Sequence, residues 1–121
     1  MNFPQVKRWL WLWLLAIPML LAGCQSPSLY YWGHYEELVY VTYASPGKLP
    51  PEAQVLKMEE DLQKAAAANK PVPPGFHAYL GYLDYQVGKP DLARQEFEKE
   101  KVQFPEATVF MDRMMTNVVR K

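Results

Sequence analysis

One cysteine and two histidines leave this 121-residue chain little material for the common chemistries of an enzyme. A lone cysteine cannot pair within the chain, which excludes a disulfide-stapled scaffold. Thirteen basic residues balance thirteen acidic ones, so neither a polyanion binder nor a disordered acidic tail is indicated. Phosphate-cradling glycine loops are missing. His34 and His77 alone are too few for a zinc site. Ser26, Ser28 and Ser45 fall in tether or loop contexts without a nearby histidine motif, so no nucleophile–base pair stands out. The length excludes a multidomain enzyme. The expectation is a non-enzymatic protein that takes no metal, no cofactor and no nucleic acid.

What the chain does have in quantity is apolar sequence at its start. Lys7 and Arg8 precede an apolar run from Trp9 to Leu21, followed by Ala22, Gly23 and Cys24. That order of basic residues, short apolar stretch and small residues is the layout of a secretory signal. Thirteen residues rise only about 20 Å as a helix, short of a ~30 Å hydrocarbon core, and Pro18 further weakens a spanning helix. Residues 1–23 are therefore read as a signal peptide, 24–30 as a tether and 31–121 as the folded domain. From Cys24 onward the chain carries eleven basic and thirteen acidic residues.

The remaining sequence reads as helices. Tyr35, Leu38, Val39 and Thr42 fit one helical face between Trp32 and Tyr43, although Val39–Tyr43 also has β propensity; the expectation is helix. Ser45, Pro46, Gly47 and Pro50 form a loop. From Pro51 to Asn69, the residues Val55, Met58, Leu62, Ala65 and Ala66 recur on one stripe, and Glu60–Lys64 makes an i,i+4 pair. Phe76, Leu80, Leu83 and Val87 stripe a third helix ended by Gly88. Pro90 and Asp91 open a fourth, with Ala93, Phe97 and Phe104 on one side and Glu96, Glu98, Lys99 and Glu100 around the others; Pro105 ends it. A last helix is expected over 106–119. The fold class is all-α, about five helices with short antiparallel connections.

Three resemblances add to this reading. Leu21-Ala22-Gly23-Cys24 resembles the bacterial lipobox, which implies cleavage between Gly23 and Cys24, acylation of Cys24 and membrane attachment through lipid. Gln25, where an aspartate would retain a lipoprotein in the inner membrane, implies the periplasmic face of the outer membrane. Residues 74–107 resemble one tetratricopeptide repeat, matched at Leu80-Gly81, Tyr85, Gly88, Ala93, Phe97 and Pro105. His77 stands where that repeat has a large aromatic, and Glu100 where it has a small residue, which implies that the next helix packs differently from a regular array. One repeat cannot bury its own faces, so flanking helices must complete it.

The segments Tyr30–Glu36, Val72–Gly81 and Phe104–Arg113 together resemble a family of small bacterial lipoproteins known only as a domain of unknown function. The resemblance implies an envelope protein, with another lipoprotein similar to the curli secretion channel as partner. The functional expectation is an interaction scaffold or accessory subunit of an envelope complex. The alternatives are a peptidoglycan or small-ligand binder using a Tyr79, Tyr82, Tyr85 face, and, from another class, a small envelope hydrolase.

Four surface expectations complete the reading. Phe110, Met114 and Val118 form a docking stripe on the last helix, leaving Met111, Met115 and Val119 as a second stripe free for a partner. Glu59-Glu60-Asp61 reads as a solvated acidic run. His77 reads as a packed or capping residue rather than a ligand. Trp32 and Tyr35 read as core, with Gly33 at a close helix crossing, against the alternative that the aromatic cluster meets the membrane interface.

Overall fold

The computed structural model describes residues 27–119, with Val119 described by its backbone alone. The signal segment, cleavage at Gly23 and lipidation at Cys24 lie outside the described residues. Five α-helices fill the described chain: α1 (Tyr35–Ala44), α2 (Pro51–Ala67), α3 (Phe76–Gln86), α4 (Pro90–Gln103) and α5 (Thr108–Val119). A 3₁₀ turn, Pro105–Ala107, links α4 to α5, and no strand occurs among the described residues. No described helix is long and apolar enough to cross a membrane. The fold is all-α.

Local chemistry sets the helix ends. Pro51 and Pro90 occupy first helical positions, where a missing N–H costs nothing. At the end of α2 the backbone reverses through Asn69 in the left-handed region. The amides of Asn69 and Lys70 return to the carbonyls of Ala66 and Ala65, both at 3.0 Å. The same closure ends α3, where Gly88 and Lys89 bond back to Tyr85 and Asp84. In α1 helix prevails over strand. The helical spacing buries Leu38 and turns the Leu38 carbonyl and Thr42 hydroxyl toward Tyr79 of α3.

α2 packs on α3, α3 on α4 and α4 on α5, and the α3–α4 contact is the most extensive. Gly81 makes that closeness possible. A Cβ there would lie 2.7 Å from Phe97 Cε1 and 2.9 Å from the Ala93 carbonyl oxygen. The apolar core falls into two clusters. Leu38, Val55, Met58, Ala65, Val72, Phe76, Leu80 and Leu83 join α1, α2 and α3. Ala93, Phe97, Met111 and Val118 join α4 to α5.

The structure corrects several expectations. Met111 is 1% exposed and belongs to the core, not to a free stripe. Met115 is half-buried and packs on the same cluster, beside Met114. Phe110, expected to dock, is 59% exposed, and Val109 is exposed beside it. The true inner face of α5 is 111, 114, 115 and 118, so the rotation inferred from the two stripes was off by about one residue. Val119's side chain lies outside the described residues. Ala66, placed on the α2 stripe, is exposed.

Polar side chains account for the other corrections. Asp61 is fully buried instead of solvated, while Glu59 and Glu60 are exposed. Its carboxylate accepts the His34 backbone N–H at 2.6 Å and meets the His34 ring Nδ1 at 3.0 Å. Gly33 is small because Asp61 presses against it, not because helices cross there; its φ of 50° also places it in the left-handed region. Trp32 is 39% exposed and stacks on Tyr35, which is half-buried. Glu96 and Glu100 are buried although both were placed on the wet sides of α4.

Candidate functional site

The two buried glutamates of α4 organise α3, and α3 floors the candidate site. The four first amides of a helix need outside acceptors. Gly75, at the entry of α3, sits at φ 88°, which a side chain would oppose, and its own residue type supplies no cap. Glu100 supplies it from α4: its carboxylate accepts the N–H groups of Gly75 at 2.6 Å and Ala78 at 3.2 Å. The large acidic side chain turns toward α3 and caps it.

Four residues earlier, Glu96 takes His77 Nδ1 at 2.6 Å and Lys99 Nζ at 2.6 Å. Burial pushes the Glu96 carboxyl up, but the hydrogen bonds from His77 and Lys99 outweigh it and hold the group below its ordinary 4.5. His77 is thus a buried, paired histidine.

Asp84, one turn beyond Gly81 on the same side of α3, is buried, and its Oδ1 has no hydrogen-bond partner. Burial, with repulsion from Glu96, raises its pKa from 3.8 to about 6; Glu59 adds to the rise, and Lys89 and Lys99 oppose it. A carboxyl with a raised folded-state pKa binds its proton more readily folded than unfolded. Its contribution is therefore most favourable below pH 3.8 and is lost as pH rises from about 4 to 6. Glu96 acts oppositely, its stabilisation being lost only as pH falls below about 4.5. The full Asp84 shift corresponds to ~3 kcal/mol, which screening by nearby solvent and Lys89 reduces to about 1–2 kcal/mol. Asp84→Asn is expected to raise stability by that amount at pH 7.5 and by almost nothing at pH 3. Thermal melts across this range check it, and parallel pH profiles for the two proteins would contradict it.

On the opposite side of α3 lies a groove of about 410 Å³ between α1, α3 and α5. Tyr35, Val39 and Tyr43 line it from α1, Gly75, Ala78, Tyr79 and Tyr82 from α3, and Phe110 and Met114 from α5. The rings support one another. Tyr35 meets Phe76 at 5.6 Å and Tyr79 edge-on at 6.1 Å, and Tyr79 meets Tyr82 at 6.2 Å. Burial raises the Tyr35 and Tyr79 pKa values, with Glu100 adding to the first, so both hydroxyls stay protonated. Tyr79's hydroxyl points inward, within 2.6 Å of Thr42 Oγ1 and 2.7 Å of Gln54 Oε1. Tyr43, 80% exposed, and Phe110 stand on the rim.

Of the three tyrosines expected on one face, the structure brings Tyr79 and Tyr82 together and sets Tyr85 apart. Tyr85 packs on the α4–α5 core and borders a wider, more open hollow with Pro51, Gly88 and Val118. Met111, proposed from sequence as interface, does not line the groove, whereas Phe110 and Met114 do. Sequence reasoning missed Tyr43 and Phe110 as site residues. Phe110 was assigned inward, and Tyr43 stood at the end of a helix whose face was ambiguous.

These features define a small all-α domain of five helices with an aromatic groove on one side. Residues 29–114, from the aromatic segment into α5, match the family described as a domain of unknown function (DUF4810), and the chain belongs to that family. No curated protein and no solved structure matches the chain.

Proposed function

We propose that this is a lipid-anchored envelope protein whose helical domain docks a protein partner in the aromatic groove. The groove is the observation that carries the reading. Nine residues from three helices converge on it, and its rim aromatics, Tyr43 and Phe110, have no internal role that explains their exposure. The outward residues of α5, namely Asp112, Arg113, Thr116 and Asn117, are exposed and polar, as expected of a helix that terminates a stack. The small residues Gly81 and Ala93 against Phe97 support reading 74–107 as a tetratricopeptide-like repeat, with α1 and α2 as a degenerate first repeat and α5 as the cap.

The lipobox-like Leu21–Cys24 segment, with Gln25 after it, supports acylation at Cys24 and residence on the periplasmic face of the outer membrane. Two or three acyl chains hold such a domain stably, at ~0.8 kcal/mol per buried methylene. By the family resemblance, the partner is another envelope lipoprotein similar to the curli secretion channel, and the role is that of an accessory subunit. A saccharide or small polar ligand is less well served, because Tyr79's hydroxyl is already engaged by Thr42 and Gln54. Hydrolysis is also poorly supported. Among the described residues, the side-chain partners of His34 and His77 are the carboxylates of Asp61 and Glu96.

Replacing Tyr43 and Phe110 together with serine in the full chain tests the groove. Melting should change by no more than the ±0.5 kcal/mol or so usual for exposed positions. Recovery of the partner from solubilised membranes should fall at least about tenfold, the scale of one lost aromatic anchor. Undiminished recovery with normal folding would move the docking site elsewhere.

A further inference from the structure

We propose that the end of the domain nearest Cys24 rests on the phospholipid surface, with Trp32 and Tyr40 in the headgroup layer and Leu29 beside them. This rests on the lipid anchor proposed above and goes beyond it by fixing which side of the domain faces the bilayer. Tyr40 is 71% exposed, and Leu29 and Trp32 are exposed as well. None of the three lines the groove. Trp32 and Tyr40 border a second, almost wholly apolar hollow of about 440 Å³ on α1, whose other lining residues are Glu36 and three that also line the groove, Tyr35, Val39 and Tyr43. Trp32 is held in place by its stack on Tyr35, at 6.4 Å and 22° between ring planes. Tyr31's backbone N–H bonds the Pro71 carbonyl at 2.8 Å, so the segment is pinned to the domain rather than trailing from it.

Chain length identifies the occupant. Leu29 follows Cys24 by five residues, which reach at most ~18 Å fully extended. An acylated Cys24 at the membrane surface therefore keeps Leu29 within ~18 Å of the headgroups, close enough for this end of the domain to settle on them. Tryptophan and tyrosine prefer that zone, where the ring is shielded and the polar tip stays wet. Between residues 29 and 44 there is no lysine or arginine, whereas Glu36 and Glu37 are exposed. Contact is thus driven by apolar and aromatic area, not by attraction to anionic lipid, and high salt should leave it intact.

The test uses the acylated mature protein purified from membranes. Loss of Trp9, Trp11 and Trp13 with the signal leaves Trp32 as its sole tryptophan. In phosphatidylcholine–phosphatidylethanolamine vesicles brominated near the top of the acyl chains, Trp32 emission should drop by about a third or more. The drop should persist in high salt and shrink by at least about half in the Leu29→Ser, Tyr40→Ser variant, with the protein still floating with the vesicles. Floating, acylated protein with unquenched Trp32 would overturn this orientation while leaving the anchor in place. A chain carrying no acyl mass would overturn the anchor and this proposal together.

Discussion

Phe97→Ala is expected to cost ~3–5 kcal/mol, enough to lower the melting temperature by at least about 12 °C in a domain of this size. Phe97 is fully buried, and its ring fills the space left by the missing side chain of Gly81. Truncation opens a cavity at the closest helix crossing, where the Ala93 backbone cannot collapse inward without moving α4 as a body. The reciprocal change, Gly81→Leu, inserts atoms where even a Cβ would overlap the Phe97 ring and the Ala93 carbonyl, and should cost ~1–3 kcal/mol or more. The two defects act on one contact, so combining them should not give a simple sum. Circular dichroism melts check all three proteins, and unchanged melting temperatures in both single variants would refute the crossing.

The second large effect is expected at Glu100. Glu100→Ala leaves the Gly75 and Ala78 amides without their acceptor in a part-buried setting, at a cost of about 2–4 kcal/mol. Glu100→Gln keeps one acceptor oxygen and should lose roughly half as much. The lesion has a local signature that a general packing defect lacks. Amide exchange at residues 75–78 should accelerate, while protection at Leu83 and within α4 changes only with global stability. Because Gly75 also floors the groove, the alanine variant should weaken partner capture beyond its effect on folding. Equal exchange at residues 75–78 in variant and parent would show that Glu100 is not the cap.

The apolar framework was legible because its periodicity and its punctuation agree. Pro51, Asn69, Gly88, Pro90 and Pro105 mark the ends of helices that form very nearly where expected. What escaped was polar residues that share the buried stripe. Gln54, Met58, Asp61 and Ala65 follow one face of α2, and Ala93, Glu96, Phe97 and Glu100 one face of α4. Reading acidic residues as solvated by type overrode their spacing. The spacing carried the signal: Asp61, Glu96 and Glu100 lie three or four residues from core positions, and each has found a buried partner, His34, His77 or a helix N-terminus. The groove was half legible. Tyr79 and Tyr82 were singled out, but Phe110 was turned inward because 110/114/118 and 111/115/119 are equally regular stripes. Only the position of α5 against α4, set by the 3₁₀ turn at Pro105–Ala107, distinguishes them.

Site-specific photocrosslinking in intact cells tests the groove most directly. A crosslinker placed at Tyr43 or at Phe110 should give one discrete adduct with the same envelope protein. The same crosslinker at Asn117, on the polar outer side of α5, should give none. Adducts at Asn117 with none at Tyr43 and Phe110 would contradict the assignment of the groove as the docking site.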